Sequence, residues 1–347
     1  MNVLDDSPFL KACRGEKTPF TPVWLMRQAG RYMEDYRKIR EHVPFKTLCK
    51  DASLAAEITV TARGKIKTDA AIIFSDILLI VESFGFELEY LKGDGPSISP
   101  RIQSASDIER LPEANPAETL SYVYRAIRRT RASLPGDIPL IGFAGAPFTL
   151  ASYLVEGGVS RDFKKTKALM REDEKSWQIL MEKIAKATLR HLDEQVRAGA
   201  QALQLFDSWV GCLSPEEYEK FAGPYSQEVL DGLKGKVPVI HFGTQTAPFL
   251  KHFSEAGGDV IGVDHRVGLG AAWKTIGYGK SIQGNLDPAV LCSDLETLER
   301  EVQRILKEAA GRPGHIFNLG HGVLPETPLE NVTALVEMVH QYSRKRA

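Results

Sequence analysis

The segment ALQLFDS, residues 202–208, shows the unit from which the predicted fold is built, a short apolar run that ends in two polar residues. Shortly after it, Ser214-Pro215-Glu216-Glu217 has the composition of a capping box with proline at the first helical position. A buried strand followed by a loop and a helix is therefore predicted here. The rest of the chain shows the same order of elements.

Eight apolar runs, each followed by a longer segment, organise the chain. They occupy residues 23–26, 70–77, 139–143, 202–206, 237–242, 260–263, 281–284 and 316–319. Continuous rather than alternating apolar runs are typical of parallel strands buried on both faces. The segments between them predict helices: residues 177–197 repeat apolar side chains with helical spacing, and Thr327-Pro328-Leu329-Glu330 is a second predicted capping box.

Eight consecutive β-then-α units predict one (β/α)₈ TIM barrel domain over residues 1–347. Residues 84–99, with Gly93-Asp94-Gly95-Pro96, predict an extra hairpin after the second strand. Residues 147–199 contain more helix than one crossover needs, so extra helices are expected between strands three and four. A doubly wound open sheet is the alternative, but no GxGxxG or P-loop supports it.

Composition excludes several classes of function. The 347 residues include 44 Lys+Arg and 45 Asp+Glu, a net charge of −1, which argues against a nucleic-acid binder. The longest apolar runs are too short to cross a bilayer, and the N-terminus lacks a signal-peptide pattern. Four scattered cysteines fit a reducing cytosol. We expect a cytoplasmic protein with neither a nucleic-acid nor a membrane partner.

Polar residues follow most of the predicted strands, where barrels of this kind carry their chemistry. They are Arg27, Asp76, Asp207 with Ser208, Asp264, Asn285 and His321. Each one alone could cap a helix or a turn. Together they predict a site at the carboxyl ends of the strands.

The densest cluster is MRQAGRY, residues 26–32. Residues 24–40 contain five cations and two acids, a local charge of +3. A spacing of four would place Arg27 and Arg31 on one helical face, and Gly30 would let a ligand approach the backbone. Arginine forks suit carboxylates. A solvated basic helix is the other interpretation, which suits the later cations better than Arg27 at its strand end.

Two further strand ends indicate a ligand. Asp76 lies in an apolar stretch, and a buried aspartate needs an arginine, a backbone amide or a ligand N–H as its partner. His321 stands between Gly320 and Gly322 at the last strand end, where barrels often bind anions. The glycines suggest crowding by a ligand, although a satisfied core histidine is the simpler alternative.

Several chemistries lack their residues. The chain has no HExxH, no paired Cys/His zinc spacing, no strand-end lysine for a Schiff base and no GxSxG. Asp76, Asp207 and Asp264 could together hold Mg²⁺. The cationic cluster instead favours an anionic substrate that is held directly.

Two segments, PVWLMRQAGRYM at 22–33 and GFAGAPFTL at 142–150, resemble the signatures of the uroporphyrinogen decarboxylase family. Four shorter motifs appear in the expected order at residues 74–78, 206–208, 283–288 and 317–322. The resemblance extends from about residue 7 to residue 343, essentially the whole chain.

This resemblance implies a cytoplasmic homodimer without cofactor or metal. Its substrate would be uroporphyrinogen III, whose four acetate groups are decarboxylated to give coproporphyrinogen III in porphyrin and haem biosynthesis. The implied substrate contacts are Arg27, Gln28, Ala29, Gly30, Arg31, Asp76, Tyr153, Ser208 and His321. Asp76 would stabilise a cationic pyrrole intermediate. Arg27 is the candidate proton donor by family analogy, with His321 or a substrate carboxyl as alternatives because arginine is a poor acid.

His265 stands where the family pattern favours Trp, and Trp209 follows Ser208, so both are expected to reshape the rim of the pocket. One alternative is a corrinoid-dependent zinc methyltransferase of the same barrel superfamily, which needs a His-x-Cys type of ligand set. Neither Cys212 nor Cys292 has a histidine two residues earlier. Another is a non-catalytic tetrapyrrole-binding protein, which would tolerate the loss of Asp76.

Overall fold

A seven-stranded parallel sheet forms the centre of the computed structural model, which describes residues 3–91 and 95–344. Its strands follow one another in chain order. They are β1 (Ala71–Ile72), β4 (Leu140–Gly145), β5 (Ala202–Asp207), β6 (Val239–Gly243), β7 (Val260–Gly262), β8 (Ser281–Gln283) and β9 (His315–Ile316). A separate antiparallel hairpin consists of β2 (Glu87–Leu91) and β3 (Gly95–Ser99).

Helices connect the strands. The α-helices are α1 (Pro8–Cys13), α2 (Glu34–His42), α3 (Phe45–Lys50), α4 (Ala52–Ile66), α5 (Ala105–Glu109), α6 (Pro116–Thr119), α7 (Ser121–Ser133), α8 (Pro147–Glu156), α9 (Lys164–Glu172), α10 (Glu174–Ala198), α11 (Pro215–Phe221), α12 (Gly223–Leu233), α13 (Leu250–Glu255), α14 (Leu269–Ile276), α15 (Leu295–Ala309) and α16 (Leu329–Ser343). Short 3₁₀ helices occupy Ile77–Phe84, Val210–Cys212, Ala247–Phe249 and Pro288–Cys292. Among the described residues, no helix is both long and apolar enough to span a membrane.

The first predicted strand is not a regular strand. Val23 forms a parallel bridge with Phe317, beyond β9. On its other side the Val23 carbonyl accepts a hydrogen bond from the Asp69 amide (2.8 Å), just before β1. The Val23 amide donates to the Asp69 carboxylate instead of to backbone (2.7 Å), which shortens the ladder. The segment therefore contacts both edges of the sheet.

Both faces of the curled sheet are buried, as continuous apolar runs predict. Ile72, Ile141 and Ile240 belong to one apolar cluster, which also contains the α1 residues Phe9 and Leu10. Residues at alternating positions pack in a second cluster, beneath the surrounding helices. Helix α1 therefore packs against side chains on the inner face of the strands.

Polar side chains also link distant strands within the protein. Gln283 in β8 donates from Nε2 to Gln204 Oε1 in β5 (3.0 Å), and Trp24 Nε1 donates to Gln283 Oε1 (2.8 Å). All three side chains are buried. These bonds connect the segment around Trp24 to two strands of the sheet.

The surrounding helices agree with their predicted patterns, with one exception. Helix α10 buries Trp177, Leu180 and Ile184 along one face, and Ser214 with Glu217 forms a reciprocal capping box at α11. The capping box predicted at Thr327 is wrong. Helix α16 begins after Pro328 without a side-chain cap, because Thr327 is buried and lies against the Cys292 thiol.

The two predicted insertions are present. The hairpin follows the 3₁₀ helix after β1, although the predicted turn residues Gly93 and Asp94 lie outside the described residues. Strand β3 is fastened to the end of α8, where the Ile98 amide donates to the Gly157 carbonyl (2.9 Å). Helices α8, α9 and the start of α10 supply the extra helical material between β4 and β5.

Candidate active site

The arginine loop, residues 26–33, consists of turns and not of helix. Arg27 has a left-handed backbone conformation (φ 61°), and α2 begins only at Glu34. The prediction of one helical face for Arg27 and Arg31 is therefore wrong. Both side chains are exposed, and neither guanidinium has a hydrogen bond or ion pair within residues 3–91 and 95–344. Arg37 closes the loop by donating to the Arg31 carbonyl (3.0 Å).

Gln28 anchors this loop to the sheet. Its side chain is buried, accepts from the Leu25 amide (3.0 Å) and donates to the Ala70 carbonyl (3.1 Å). Its amide is thus occupied by backbone partners on both sides. Ala29 and Gly30 are partly exposed, and among the described residues no group accepts a hydrogen bond from their N–H groups. Contact between Gln28 itself and a substrate stays a prediction.

Arg27 crosses the loop that carries His321. A Cβ added at Gly322 would lie 2.4 Å from Arg27 Cδ, so only glycine leaves space for this arginine. The Val323 amide donates to the Met26 carbonyl (2.9 Å), which joins the two loops. Gly320 in turn packs against the backbone of His265. The glycines beside His321 therefore make room for protein, which corrects the expectation that a ligand crowds them.

The His321 ring is exposed and has no hydrogen-bond partner among the described residues. Desolvation by its surroundings lowers the pKa of His321, and the charge of Arg27 lowers it further. His265 and Arg266 act in the same direction, while Asp264 opposes them. His321 is consequently neutral near pH 7, and its ring can accept or donate a hydrogen bond.

Asp76 lies immediately after β1 and caps the 3₁₀ helix that follows. Its Oδ1 accepts from the Leu78 amide (2.8 Å), so one of the three partners expected from the sequence is present. No described residue donates to Oδ2 with normal hydrogen-bond geometry. Burial raises the pKa of Asp76, whereas the Leu78 amide, the Tyr90 hydroxyl and the charge of Arg27 oppose the rise. One carboxylate oxygen is thus held by backbone and the other is open to a ligand.

Tyr153 faces the same region from helix α8. It is 8% exposed, and burial raises its pKa to about 12, with Asp76 adding to the rise and Arg27 opposing it. Its ring lies 5.7 Å from that of Trp209, centroid to centroid. Ser208 precedes Trp209, is partly buried and has a side-chain hydroxyl with no partner among the described residues.

The charge of Arg27 affects the pKa values of Asp76, Tyr153 and His321, so these three side chains lie near Arg27. Arg31 lies on the same loop as Arg27, but no contact joins it to the other three. Beside them, Phe143 and Phe206 stand edge to face at 5.6 Å and are both partly buried. Both rings pack against the apolar cluster that contains Met26, the neighbour of Arg27, and we interpret the pair as an apolar wall of the site.

The other strand-end polar residues are bonded within the protein. Asp264 accepts from Arg266 Nη1 (2.8 Å), and Asn285 donates to the Asp264 carbonyl (2.8 Å). Asp207 accepts from the Thr149 hydroxyl (2.9 Å). Within residues 3–91 and 95–344, no three His, Cys, Asp or Glu side chains are grouped as metal ligands. The three aspartates therefore do not form the Mg²⁺ site considered from the sequence.

Tyr90 is a site residue that the sequence did not indicate. Its hydroxyl is buried without a hydrogen-bond partner of normal geometry among the described residues, and it affects the pKa of Asp76. It lies on β2 of the hairpin, with its ring edge to face with Phe45 at 4.7 Å. The predicted hairpin was the available signal, but its contact with Asp76 depends on the tertiary structure.

The fold and site define a class of α/β proteins suited to bind a polyanionic small molecule. At the carboxyl edge of the parallel sheet, Arg27 and Arg31 have no partner among the described residues, and one oxygen of Asp76 is open to a ligand. The model of the uroporphyrinogen decarboxylase family matches residues 4–342, and the chain belongs to this family. Uroporphyrinogen decarboxylase of Carboxydothermus hydrogenoformans is 50% identical over 336 residues, which cover 96% of each chain. That of Sorangium cellulosum is 50% identical over 97% of this chain and 96% of its own.

A solved methyltransferase from Methanosarcina mazei has a similar fold. Its TM-score is 0.82, with 20% sequence identity and coverage of 99% of each chain. At this identity the likeness shows the fold alone. The zinc methyltransferase alternative is not favoured, because the chain belongs to the decarboxylase family and its described residues contain no grouped set of metal ligands.

Proposed function

We propose that the protein decarboxylates the four acetate side chains of uroporphyrinogen III, giving coproporphyrinogen III and four CO₂ in porphyrin and haem biosynthesis. One arrangement carries this proposal, in a chain of this family: at the same edge of the sheet, Arg27 and Arg31 have no partner among the described residues, and one Asp76 oxygen is open to a ligand. The substrate has matching chemistry, with many carboxylates around a ring of N–H donors.

Binding uses the arginine loop. Arg27 and Arg31 each offer a guanidinium fork to a substrate carboxylate. The N–H groups of Ala29 and Gly30, which have no described partner, add neutral donors on the same loop. Gln28 contributes by holding the loop in place. The arginines thus compensate locally for a protein whose net charge is only −1.

Three further contacts come from other loops. Neutral His321, beside Arg27, can hydrogen-bond a carboxyl in either protonation state of that group. Tyr153 keeps its phenolic proton near pH 7, so it is a donor. The Ser208 hydroxyl lies at the same edge of the sheet and completes the set of substrate contacts carried over from the family.

The chemical step needs an acceptor for the electrons left when CO₂ departs. We propose that protonation of a pyrrole carbon makes the substrate its own acceptor, without a cofactor. After CO₂ leaves, the exocyclic CH₂ takes up a proton and the ring carbon loses the one it gained, which restores the pyrrole and gives the methyl group. Asp76 faces the pyrrole N–H groups with its open oxygen and stabilises the cationic ring more than the neutral one. Such differential stabilisation is catalytic. The apolar wall of Phe143 and Phe206 strengthens it by lowering the local dielectric.

The proton donor is the least constrained part of the mechanism. Arg27 is close to Asp76, but a guanidinium is a poor acid. His321 holds one ring proton when neutral and can relay a proton from a substrate carboxyl. We therefore propose that Arg27 orients the reacting carboxyl, with His321 or the substrate supplying the proton.

The proposal also covers the architecture of the whole chain. We infer that the chain is one domain and that the curled sheet closes as a (β/α)₈ barrel. The bonds of Val23 toward Phe317 and Asp69 support closure. A cytoplasmic homodimer remains our proposal for the assembled enzyme.

Anaerobic incubation of the protein with uroporphyrinogen III tests the proposed function, with products resolved by carboxyl number. We expect seven-, six- and five-carboxyl intermediates and a four-carboxyl final product. Circular dichroism on the same sample establishes that the chain is folded. A folded protein that yields no decarboxylated product would refute the assignment.

A further inference from the structure

Asp207, at the end of β5, is a fully buried carboxyl group that the proposed chemistry does not use. Its Oδ1 accepts from the Thr149 hydroxyl, but its Oδ2 has no partner of normal hydrogen-bond geometry among the described residues. The hydroxyls of Tyr218 and Ser226 are also buried without partners of normal geometry. Since buried polar atoms are rarely left unsatisfied, this group of three requires an explanation.

A hydrogen-bond chain connects Asp207 to the loop that contains Ser208 and Trp209. The Thr149 hydroxyl donates its proton to Asp207 Oδ1 (2.9 Å), which leaves its oxygen free to accept from the Trp209 amide (3.3 Å). Thr149 and Tyr153 are four residues apart on α8, so they lie on the same helical face. Trp209 contacts both, because its ring packs against Tyr153. Ser208 lies between Asp207 and Trp209, and these hydrogen bonds hold both of those residues.

The protonation state of Asp207 follows from its surroundings. An ionised carboxylate that is fully buried with a single hydrogen bond is strongly disfavoured. The neutral acid can donate its own proton to a neighbouring hydroxyl oxygen, and Ser226 on α12 is near enough to influence its ionisation. Burial raises the pKa of Asp207 to about 7, against the opposing effects of Thr149 and Ser226. The titratable neighbours that feel its charge are Tyr218 on α11 and Cys212.

We propose that Asp207 is a positioning residue: in its ionised form it fixes Ser208 and Trp209 through Thr149, and its protonation loosens this loop. A carboxylate is a stronger acceptor for the Thr149 hydroxyl than a neutral acid is. The neutral acid can instead donate its own proton to the Thr149 oxygen, where it competes with the Trp209 amide. The loop should be looser in acid and ordered above neutral pH.

The first test needs no substrate. Acrylamide quenching of tryptophan fluorescence reports on Trp209, since the other three tryptophans are at most 1% exposed. Between about pH 6 and pH 8.5, either side of the Asp207 pKa, quenching of the wild type should fall. Asp207→Asn cannot ionise but keeps an oxygen for Thr149, so its quenching should stay at the acid level throughout. The same fall in Asp207→Asn would overturn the proposal.

The second test uses kinetics and rests on the proposed function. Thr149→Val removes the hydroxyl at nearly constant volume and should raise KM by about three- to tenfold, the effect of one hydrogen bond, while kcat changes little. Thr149→Ser should restore the wild-type KM. Ser152→Ala is the matched control: its hydroxyl is equally buried on α8 but donates only to the Phe148 carbonyl.

The two tests separate the two proposals. If the wild type lacks decarboxylase activity but quenching follows the predicted pH dependence, the proposed function fails and the positioning role stands. If Asp207→Asn does not fold, the threonine pair decides: Thr149→Val should be strongly quenched at every pH, and Thr149→Ser should follow the wild type. Equal quenching of Thr149→Val, Ser152→Ala and wild type would refute the positioning role.

Discussion

Polar side chains at the amino end of the parallel sheet are bonded within the protein, whereas four described side chains at its carboxyl end are wholly or partly without partners. At the amino end, the Asp69 carboxylate accepts from the Val23 amide and contacts His340, both at 2.7 Å. Asp259, just before β7, likewise accepts from the Val239 amide at 2.8 Å. These carboxylates are used to hold neighbouring segments of the sheet together.

At the carboxyl end, Arg27, Arg31 and His321 have no side-chain partner among the described residues, and Asp76 uses only one oxygen. A polar group that folding requires normally finds its partners within the protein. Groups held in place without partners are instead available to a ligand. This contrast predicts that substitutions at the amino end lower stability, whereas substitutions at the carboxyl end lower activity.

The largest effect is expected from Asp76→Asn. It should lower kcat by about a hundred- to a thousandfold, as loss of a transition-state electrostatic contact does, while the free energy of unfolding changes little. Asp69→Asn is the matched change at the amino end. It should destabilise the fold but leave the kcat of the folded protein intact. Denaturant titration and steady-state kinetics on both variants measure this; a reversed pattern would break the contrast.

The arginine loop should show the next largest effect. Arg31→Ala and Arg27→Ala each remove a charged hydrogen bond to substrate, so kcat/KM should fall by about ten- to a hundredfold. Lys38→Ala is the control, because this cation on α2 is exposed and paired with Glu34. For Arg31 the loss should lie in KM. A loss confined to kcat would assign Arg31 to the chemical step instead.

Buried histidines away from the site should control acid stability. His241 is fully buried, stacks on Phe253 at 3.8 Å, and burial lowers its pKa to about 3. The unfolded chain therefore binds a proton that the folded chain excludes, and stability falls as pH drops from about 6.5 toward 3. His241→Phe should recover about 2 kcal/mol of this loss at pH 5.

Urea titrations at pH 7 and pH 5 provide the measurement. The control is His252→Gln, since His252 is 43% exposed and its replacement leaves the buried histidines in place. His321 at the carboxyl end also has a lowered pKa, so it adds to the loss of stability in acid, but equally in the wild type and in His241→Phe. An equal loss of stability in His241→Phe and wild type between these pH values would contradict this account.

The smallest effect is expected at the glycines beside His321. Gly322→Ala meets the movable end of Arg27, so KM should rise by only about two- to fivefold with stability unchanged. Gly320→Ala meets the His265 amide nitrogen at 2.1 Å and should destabilise the fold instead. Thermal denaturation with kinetics distinguishes the two. Unchanged KM in Gly322→Ala would mean that Arg27 needs no fixed path across this loop.

The sequence predicted the parts that depend on local pattern. Continuous apolar runs located the seven strands, and the polar residues after them indicated Asp76 and His321 as candidate site residues, whose role stays a prediction. Strand ends are informative because parallel strands bring their carboxyl ends to one edge. The family resemblance is confirmed by the family model. The set of substrate contacts stays a prediction.

The sequence could not indicate what depends on distant contacts. The left-handed Arg27 breaks the helical spacing assumed for Arg31. The role of Gly322 is visible only once Arg27 is seen to cross it. Tyr90 approaches Asp76 through the hairpin fold. Each of these features is a tertiary contact that overrides or escapes a local pattern.

Equilibrium binding of uroporphyrinogen III to Asp76→Asn, under anaerobic conditions, distinguishes a catalytic role of Asp76 from a role in binding alone. Asparagine keeps an oxygen for a pyrrole N–H but has no charge to stabilise the cationic ring. We expect a Kd within about threefold of the wild-type value, the effect of a weakened hydrogen bond, alongside the large loss of kcat. A Kd that rises as much as kcat falls would contradict this expectation, because Asp76 would then serve binding alone.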